Sequence, residues 1–201
     1  LSGPAGAVSV VSFCLAGVVV RATFGFFLLV FLFLLADSGG MALWVLTGCL
    51  LHEGGHLLAM LAMRVPVRRL ELTAAGIHIR RGRESLSPGR ELLVLAAGPG
   101  INLLTALVLF LLGWLECSAA NCALGLFHLL PARGLHGGSI LEICCGRFWG
   151  MERGEQVSKG ISCILWLGVL ALLVLEIMKN GLCFQTFVLG MLALALLPAG
   201  A

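Results

Sequence analysis

Residues 41–63 read MALWVLTGCLLHEGGHLLAMLAM, and the fold can be argued outward from this stretch. It is predominantly apolar, and its length fits the roughly 20 residues that a membrane-spanning helix needs. His52 and His56 are four residues apart, so a helix places them on one face, with Glu53 beside the first of them. Ionisable side chains inside an apolar helix are costly unless they are paired or bound to a metal. The stretch therefore predicts a membrane helix that carries a polar site.

The composition of the whole chain agrees with a membrane location. Of 201 residues, 60% are hydrophobic and only 11% are charged, and the mean hydropathy is +1.07. Soluble domains carry roughly 25% charged residues, so this composition excludes an ordinary water-soluble protein. It also excludes a disordered chain, which needs low hydrophobicity and high charge. We therefore predict an all-α polytopic membrane protein with about six transmembrane helices, and no room for a separate soluble domain.

Apolar runs between charges define the expected elements. Residues 8–20 either extend the first helix or lie along the membrane surface. Alternating residues around a glycine in 64–91 predict a small β-hairpin at the membrane surface, between the second and third helices. We expect one domain over 1–201, with a core at about 20–145 and a C-terminal helical hairpin at 161–198. The six helices are predicted at 22–36, 41–63, 92–115, 121–146 (interrupted by Pro131, Gly134, Gly137 and Gly138), 161–178 and 182–198.

The distribution of charge predicts the orientation. Arginines are concentrated in 64–91, and basic residues also exceed acidic ones in 147–160, so both segments are expected on the cytoplasmic side. The net charge of +3 is small and gives no reason to expect nucleic acid as a partner. The lipid bilayer is the expected surrounding, and the oligomeric state stays open. The arginines of the first segment are Arg64, Arg68, Arg69, Arg80, Arg81, Arg83 and Arg90.

The spacing His52-Glu53-Gly54-Gly55-His56 favours a zinc site. Both imidazoles can reach one Zn²⁺ ion, and Glu53 is then placed to take a proton from water. A catalytic zinc takes three protein ligands, and the third must come from another segment. The candidates are Asp37, Glu142 and His136, of which His136 lies in a Pro/Gly-interrupted stretch of the kind that is tolerated at membrane depth when it lines a cavity.

Other polar residues have simpler interpretations. The histidine pair could instead mark a helix end that meets interfacial water, although such an end does not need this spacing. His78 is expected at the surface, and Arg133 either reaches towards the membrane surface or contacts a substrate. Most cysteines lie in apolar runs and a disulfide framework is not expected; whether Cys117 and Cys122 pair stays open.

Three motifs together resemble the site-2 protease family of intramembrane zinc metalloproteases. They are HEGGH (52–56), Ala97-Gly98-Pro99-Gly100-Ile101-Asn102 and LFHLLPARGLHGGSIL (126–141), in the order in which that family has them. The similarity is greatest to the short branch that includes the sporulation protease acting on a sigma-factor precursor. It covers roughly residues 20–145 and includes the expected hairpin.

The resemblance implies specific roles. His52 and His56 would bind zinc, Glu53 would activate water, and Asn102, His128 and Pro131 would contact the substrate. The family's later motif reads Asn-x-x-Pro-x-x-x-Leu-Asp-Gly, with Asp as the third zinc ligand. This chain has His128 at the Asn position and His136 at the Asp position, so we expect His136 as the third ligand.

The implied activity is cleavage of a transmembrane or membrane-associated protein substrate near the cytoplasmic face of a bacterial cell membrane. Because both departures fall at functional positions, the alternative is a weakened or inactive relative that binds zinc or membrane clients. A transporter would predict internal repeats and ionisable residues spread over several helices, and the sequence has neither feature.

Overall fold

The computed structural model describes residues 9–15, 17–37, 39–73, 76–81 and 86–181, together with residues 189, 190, 193 and 196. Within these residues, a small sheet at one end adjoins a set of helices. The strands are β1 (Ser9–Leu15), β2 (Val18–Thr23), β3 (Val67–Thr73) and β4 (Gly76–Arg81). The helices are α1 (Phe24–Ala36), α2 (Met41–Ala62), α3 (Pro88–Leu111), α4 (Leu115–Leu129), α5 (His136–Trp149) and α6 (Met151–Asn180).

Helix α2 begins and ends where the sequence predicts. The Asp37 carboxylate accepts hydrogen bonds from the backbone N–H groups of Met41 and Ala42, at 3.2 and 2.9 Å, which satisfies donors that a helix start leaves free. The N–H of Ala42 is the largest influence that holds the pKa of Asp37 below its ordinary value. After Ala62 the chain turns through Arg64, which has a positive φ of 54°.

The sheet is larger than expected. The hairpin in 64–91 is confirmed as antiparallel β3 and β4. The prediction that residues 8–20 extend the first helix is wrong, and their place along the membrane surface stays a prediction. Most of these residues form β1 and β2, an antiparallel pair that joins β3 through parallel pairing, in the order β1-β2-β3-β4. A short apolar run rich in valine is ambiguous between helix and strand by hydropathy alone. Here Gly17, with φ +82°, provides the turn.

Three of the described helices, α2, α3 and α6, are long and apolar enough to cross a membrane, and α1 contains a shorter apolar stretch, Phe24–Leu35. Large apolar side chains on their outer faces are exposed, including Leu35, Leu111 and Met178. Such a surface is unfavourable in water and fits lipid. The chain is therefore an integral membrane protein. The expectation of six spans is not confirmed, and most of the predicted helix at 182–198 lies outside the described residues.

The second half of the chain differs from its prediction in one place. The interruption of the segment 121–146 is confirmed, because α4 ends at Leu129 and α5 begins at His136. The loop expected at 147–160 is wrong: only Gly150 separates α5 from α6. Of the charged residues in this segment, Arg147 lies in the last turn of α5 and the others lie on the first turns of α6. There Lys159 and Glu155 form an i,i+4 ion pair at 2.8 Å, a spacing that supports a helix.

Helices α2, α3 and α4 pack against one another, and α5 packs against α6. One buried apolar cluster joins α2 to α3 and the sheet through Met60, Val65 and Val94. A second holds the α4–α5 turn through Ala132 and Leu135. Cys117 and Cys122, which both lie on α4, are free thiols. The packing brings the middle of α2 next to the turn that ends α4 and starts α5.

Candidate metal centre

Three histidines from two parts of the chain meet at one point. His52 and His56 lie one turn apart on α2, and His136 is the first residue of α5. One ring nitrogen from each lies within 4.8 Å of the others. The ring centroids of His56 and His136 are 4.5 Å apart, and those of His52 and His56 are 4.9 Å apart. His52 and His56 are buried and His136 is half-buried, so the cluster is enclosed by protein.

The free ring nitrogens of this cluster fit a metal ion. Among the described residues, both ring nitrogens of His52 and Nε2 of His56 are buried without a hydrogen-bond partner. Nδ1 of His56 lies 2.7 Å from the carbonyl oxygen of Val94. Because a carbonyl only accepts, Nδ1 carries the proton and Nε2 keeps its lone pair. Unpaired buried nitrogens are costly, and imidazole is a ligand that suits zinc, so the donor set is compatible with Zn²⁺.

Glycines allow α3 to approach the cluster. A Cβ placed on Gly98 would collide with Nε2 of His56 and would stand 2.8 Å from Nε2 of His52. On the other helix, a Cβ on Gly55 would stand 2.7 Å from the Ala97 carbonyl oxygen. Real Cβ atoms do not reach such distances without a shift of the neighbour. The glycines of the first two motifs therefore permit the close contact of α2 with α3.

A cavity of about 1010 Å³ opens beside the cluster. Its wall contains Glu53, which is half-buried and adjoins His52 on α2. Much of the remaining wall is apolar and comes from α1, α2 and the edge strand β4. The lining from α1 and β4 includes Phe26, Phe27, Val30, Phe33, Ile77 and Ile79. Glu53 and the three histidines thus line one space, which is large enough for a peptide segment.

The α4–α5 turn presents His136 to α2. A Cβ on Gly137 would collide with the Leu129 carbonyl, and one on Gly138 would collide with the Ala132 carbonyl, so the third motif folds tightly back on itself. Gly134 has φ +88°, a left-handed conformation that favours glycine. His128, at the end of α4, also lines the cavity, and its Nδ1 lies 3.2 Å from Nδ1 of His136.

The remaining candidates occupy different places. Asn102 is fully buried, and its Nδ2 donates to the Gly48 carbonyl of α2, 3.3 Å away. Pro131 is half-buried in the α4–α5 turn. Neither lies in the cavity wall that the described residues form, so their contact with a substrate stays a prediction. Asp37, at the start of α2, and Glu142, on α5, are outside the metal-ligand cluster found among the described residues.

Sequence reasoning missed two features. The Val94 carbonyl orients His56, and no sequence signal could have found it because every residue has a carbonyl. Arg133 forms an ion pair with Glu155 of α6, Nη2 to Oε1 at 3.4 Å, which was not predicted; its two expected roles stay predictions. The sequence signals that could have indicated this ion pair were a basic side chain after Pro131 and an acidic side chain in 147–160. His78 is exposed, as expected.

Known proteins give two similarities. In sequence, the chain is similar to a Synechocystis sp. protein named "Putative zinc metalloprotease sll0528", with 27% identity over 168 residues that cover 74% of this chain. The match covers 43% of that protein, so the chain spans less than half of the relative's length. In fold, it is similar to the Site-2 Protease from Methanocaldococcus jannaschii, with a TM-score of 0.67, 92% and 91% of the two chains covered, and 19% identity. No protein-family model matches the sequence.

Fold and site together define an integral membrane protein built around a buried three-histidine cluster. The resemblance to the site-2 protease family that the three motifs indicate is confirmed, and the fold is that of a site-2 protease.

Proposed function

We propose that the chain is an intramembrane zinc metalloendopeptidase that cleaves transmembrane or membrane-associated proteins near the cytoplasmic face. The observation that carries this proposal is the convergence of His52, His56 and His136 beside Glu53, at the wall of a cavity. Similarity to a protein named as a zinc metalloprotease supports the same reaction. We further propose that the chain crosses the membrane several times, as three candidate spans among the described residues suggest.

The three histidines would hold the metal through one ring nitrogen each, which leaves room in the coordination shell for water and substrate. When bound, zinc supplies a Lewis acid that polarises the scissile carbonyl and acidifies water. All three donors are neutral imidazoles, so none of them offsets the positive charge of the metal. Glu53 is the carboxylate nearest in sequence to the histidine pair, and it would provide the counter-charge. Its half-buried position in the cavity wall lets it face both the metal and a bound peptide.

Glu53 would act first as general base and then as general acid. It takes one proton from the attacking water while the new C–O bond forms at the scissile carbonyl carbon. It then delivers this proton to the amide nitrogen as the C–N bond breaks, so that a carboxyl and an amine product result. The phenylalanines of α1 line the same cavity and would give the substrate an apolar surface to contact.

The edge strand β4 would hold the substrate in an extended form. A helical peptide bond is shielded by its own hydrogen bonds, so the substrate helix must unwind locally before hydrolysis. In the described sheet β4 has β3 on one side only, and its residues Ile77 and Ile79 line the cavity. Addition of a substrate strand to this edge would satisfy the substrate backbone. Replacing Ile77 or Ile79 with proline should then reduce cleavage without loss of zinc, and unchanged cleavage would refute strand addition.

The decisive experiment measures zinc content and cleavage of a transmembrane reporter by the purified protein in liposomes. Glu53→Gln should keep the metal and abolish cleavage, because the amide cannot accept the proton. Glu116→Gln, an exposed position at the start of α4, is the matched control and should cleave like the wild type. Full activity of Glu53→Gln, or a wild type without zinc, would overturn the proposal.

One observation favours a second function. Positions 128 and 136 carry neutral imidazoles, where the motif of the site-2 protease family has Asn and Asp. A site without a carboxylate ligand leaves more positive charge buried, which is costly. The alternative is therefore a weakened or inactive relative that binds zinc or membrane clients. A silent wild type that gains cleavage through His136→Asp would establish this alternative.

A further inference from the structure

The pair His128 and His136 carries an inference that rests on the proposed metal centre and goes beyond it. His128 lies in the last turn of α4 and His136 begins α5. Their Nδ1 atoms are 3.2 Å apart, a hydrogen-bond distance between two side chains. His56, by comparison, has a backbone carbonyl as the hydrogen-bond partner of its Nδ1.

The chemistry of imidazole fixes the direction of this hydrogen bond. A neutral ring has one N–H and one lone pair. If His136 offers its Nε2 lone pair to a metal, its Nδ1 must carry the proton and donate it. His128 must then accept on Nδ1 and carry its own proton on Nε2. In the opposite direction Nε2 of His136 would hold the proton and could not bind a metal.

His128 is poorly placed to be a ligand at the same time. Its Nδ1 lone pair is used by His136, and the metal-ligand cluster among the described residues comprises His52, His56 and His136 without it. Its ring lies against His52 with centroids 4.1 Å apart and planes tilted by 35°, so packing holds it in place. We infer that His128 is a positioning residue, which accepts the hydrogen bond that sets the tautomer and ring orientation of His136.

This assignment couples the two departures from the site-2 protease motif. A carboxylate ligand has no N–H that needs an acceptor, whereas an imidazole ligand has one that would otherwise be buried unpaired. A histidine at position 136 therefore requires an acceptor at the end of α4, and Nδ1 of His128 provides it.

The test measures zinc affinity of the purified protein in detergent by competition with a chelating dye. His128→Leu keeps the bulk but removes the acceptor, and should weaken zinc binding about 10- to 100-fold. His128→Asn should keep wild-type affinity, because the Asn Oδ1 is attached at the same point of the side chain as Nδ1 and accepts the same hydrogen bond. Glu116→Gln, at an exposed position at the start of α4, is the control and should bind like the wild type. Should the leucine variant fail to fold, His128→Ala takes its place.

The outcomes separate the possible roles. Loss of affinity in both the Leu and the Asn variants would identify a fourth ligand, since an amide is a poor zinc donor, and would overturn the inference. Affinity retained in both would overturn it as well. Because cleavage is not the readout, an inactive protein that shows the expected pattern would refute the proposed protease and leave this inference standing. A wild type without zinc would refute both.

Discussion

At the residue scale, Gly98 lets the backbone of α3 approach two imidazole rings of the site. A side chain there would occupy the space beside Nε2 of both His52 and His56, where the proposed metal would bind. The other face of the same helix offers a natural comparison, because Gly100, two residues on, is exposed and has open space around it.

We therefore predict that Gly98→Ala weakens zinc binding, whereas Gly100→Ala does not. The added methyl group either displaces the rings or separates α3 from α2, at an overpacking cost of about 1–3 kcal/mol. If that cost falls on the metal-bound form, zinc affinity drops about 5- to 150-fold. Dye-competition titration of both purified variants measures the difference. Equal affinities would show that α3 does not constrain the histidines.

At this scale the sequence allowed prediction of ligands but not of their partners. The i,i+4 spacing places His52 and His56 on one face in any helix, and an interrupted segment made His136 a candidate ligand. The Val94 carbonyl and the His128–His136 contact depend on how α3 and α4 pack against α2. Packing of this kind is set by the whole structure and leaves no local signal.

At the scale of elements, α6 anchors the turn that presents His136. The backbone N–H of Arg133 donates to Oγ of Ser162 at 2.7 Å, and the Arg133 side chain pairs with Glu155. Ser162 is buried on α6 and donates in turn to the Ser158 carbonyl. Ser158 is also buried, but among the described residues its own hydroxyl has no partner.

Ser162→Ala should therefore destabilise the protein, and Ser158→Ala should not. The first change leaves the half-buried Arg133 N–H without its acceptor, at a cost of about 1–3 kcal/mol. The second removes a hydroxyl that gains nothing in the folded state, so its thermal unfolding should be unchanged or shifted upward. Thermal unfolding in detergent measures both variants. A Ser162 variant as stable as the wild type would mean that the turn is held by other contacts.

The helices and strands were predictable from the sequence wherever one pattern, apolar length or strict alternation, was clear. Helix α2 and the hairpin β3–β4 have clear apolar length or alternation, and both were predicted. The start of α1 at Phe24 was predicted within two residues, but the valine-rich run before it is ambiguous between helix and strand, so β2 was not predicted. The start of α6 carries charges that suggest a loop, but a helix that leaves the apolar region can keep its turns with ion pairs such as Glu155–Lys159.

At the scale of the whole molecule, the sheet gathers arginines from two distant parts of the chain. Arg21 of β2 pairs in register with Glu71 of β3, whose carboxylate also lies 3.3 Å from Arg69 and 3.2 Å from Arg80. One acid thus meets several basic side chains, and the sheet as described stays positively charged. By the positive-inside rule, we propose that this end of the molecule faces the cytoplasm.

This orientation predicts the labelling of Cys14, an exposed thiol on β1 and hence on the sheet. A maleimide that cannot cross membranes should label Cys14 in inverted vesicles of a bacterial expression host and leave it unlabelled in intact cells. The Cys14→Ser variant gives the background from the other cysteines, so the difference between the two proteins belongs to Cys14 alone. Labelling of Cys14 in intact cells would place the sheet outside the cytoplasm. Since the sheet edge β4 lines the same cavity as Glu53, that result would also move the proposed cleavage site to the opposite face.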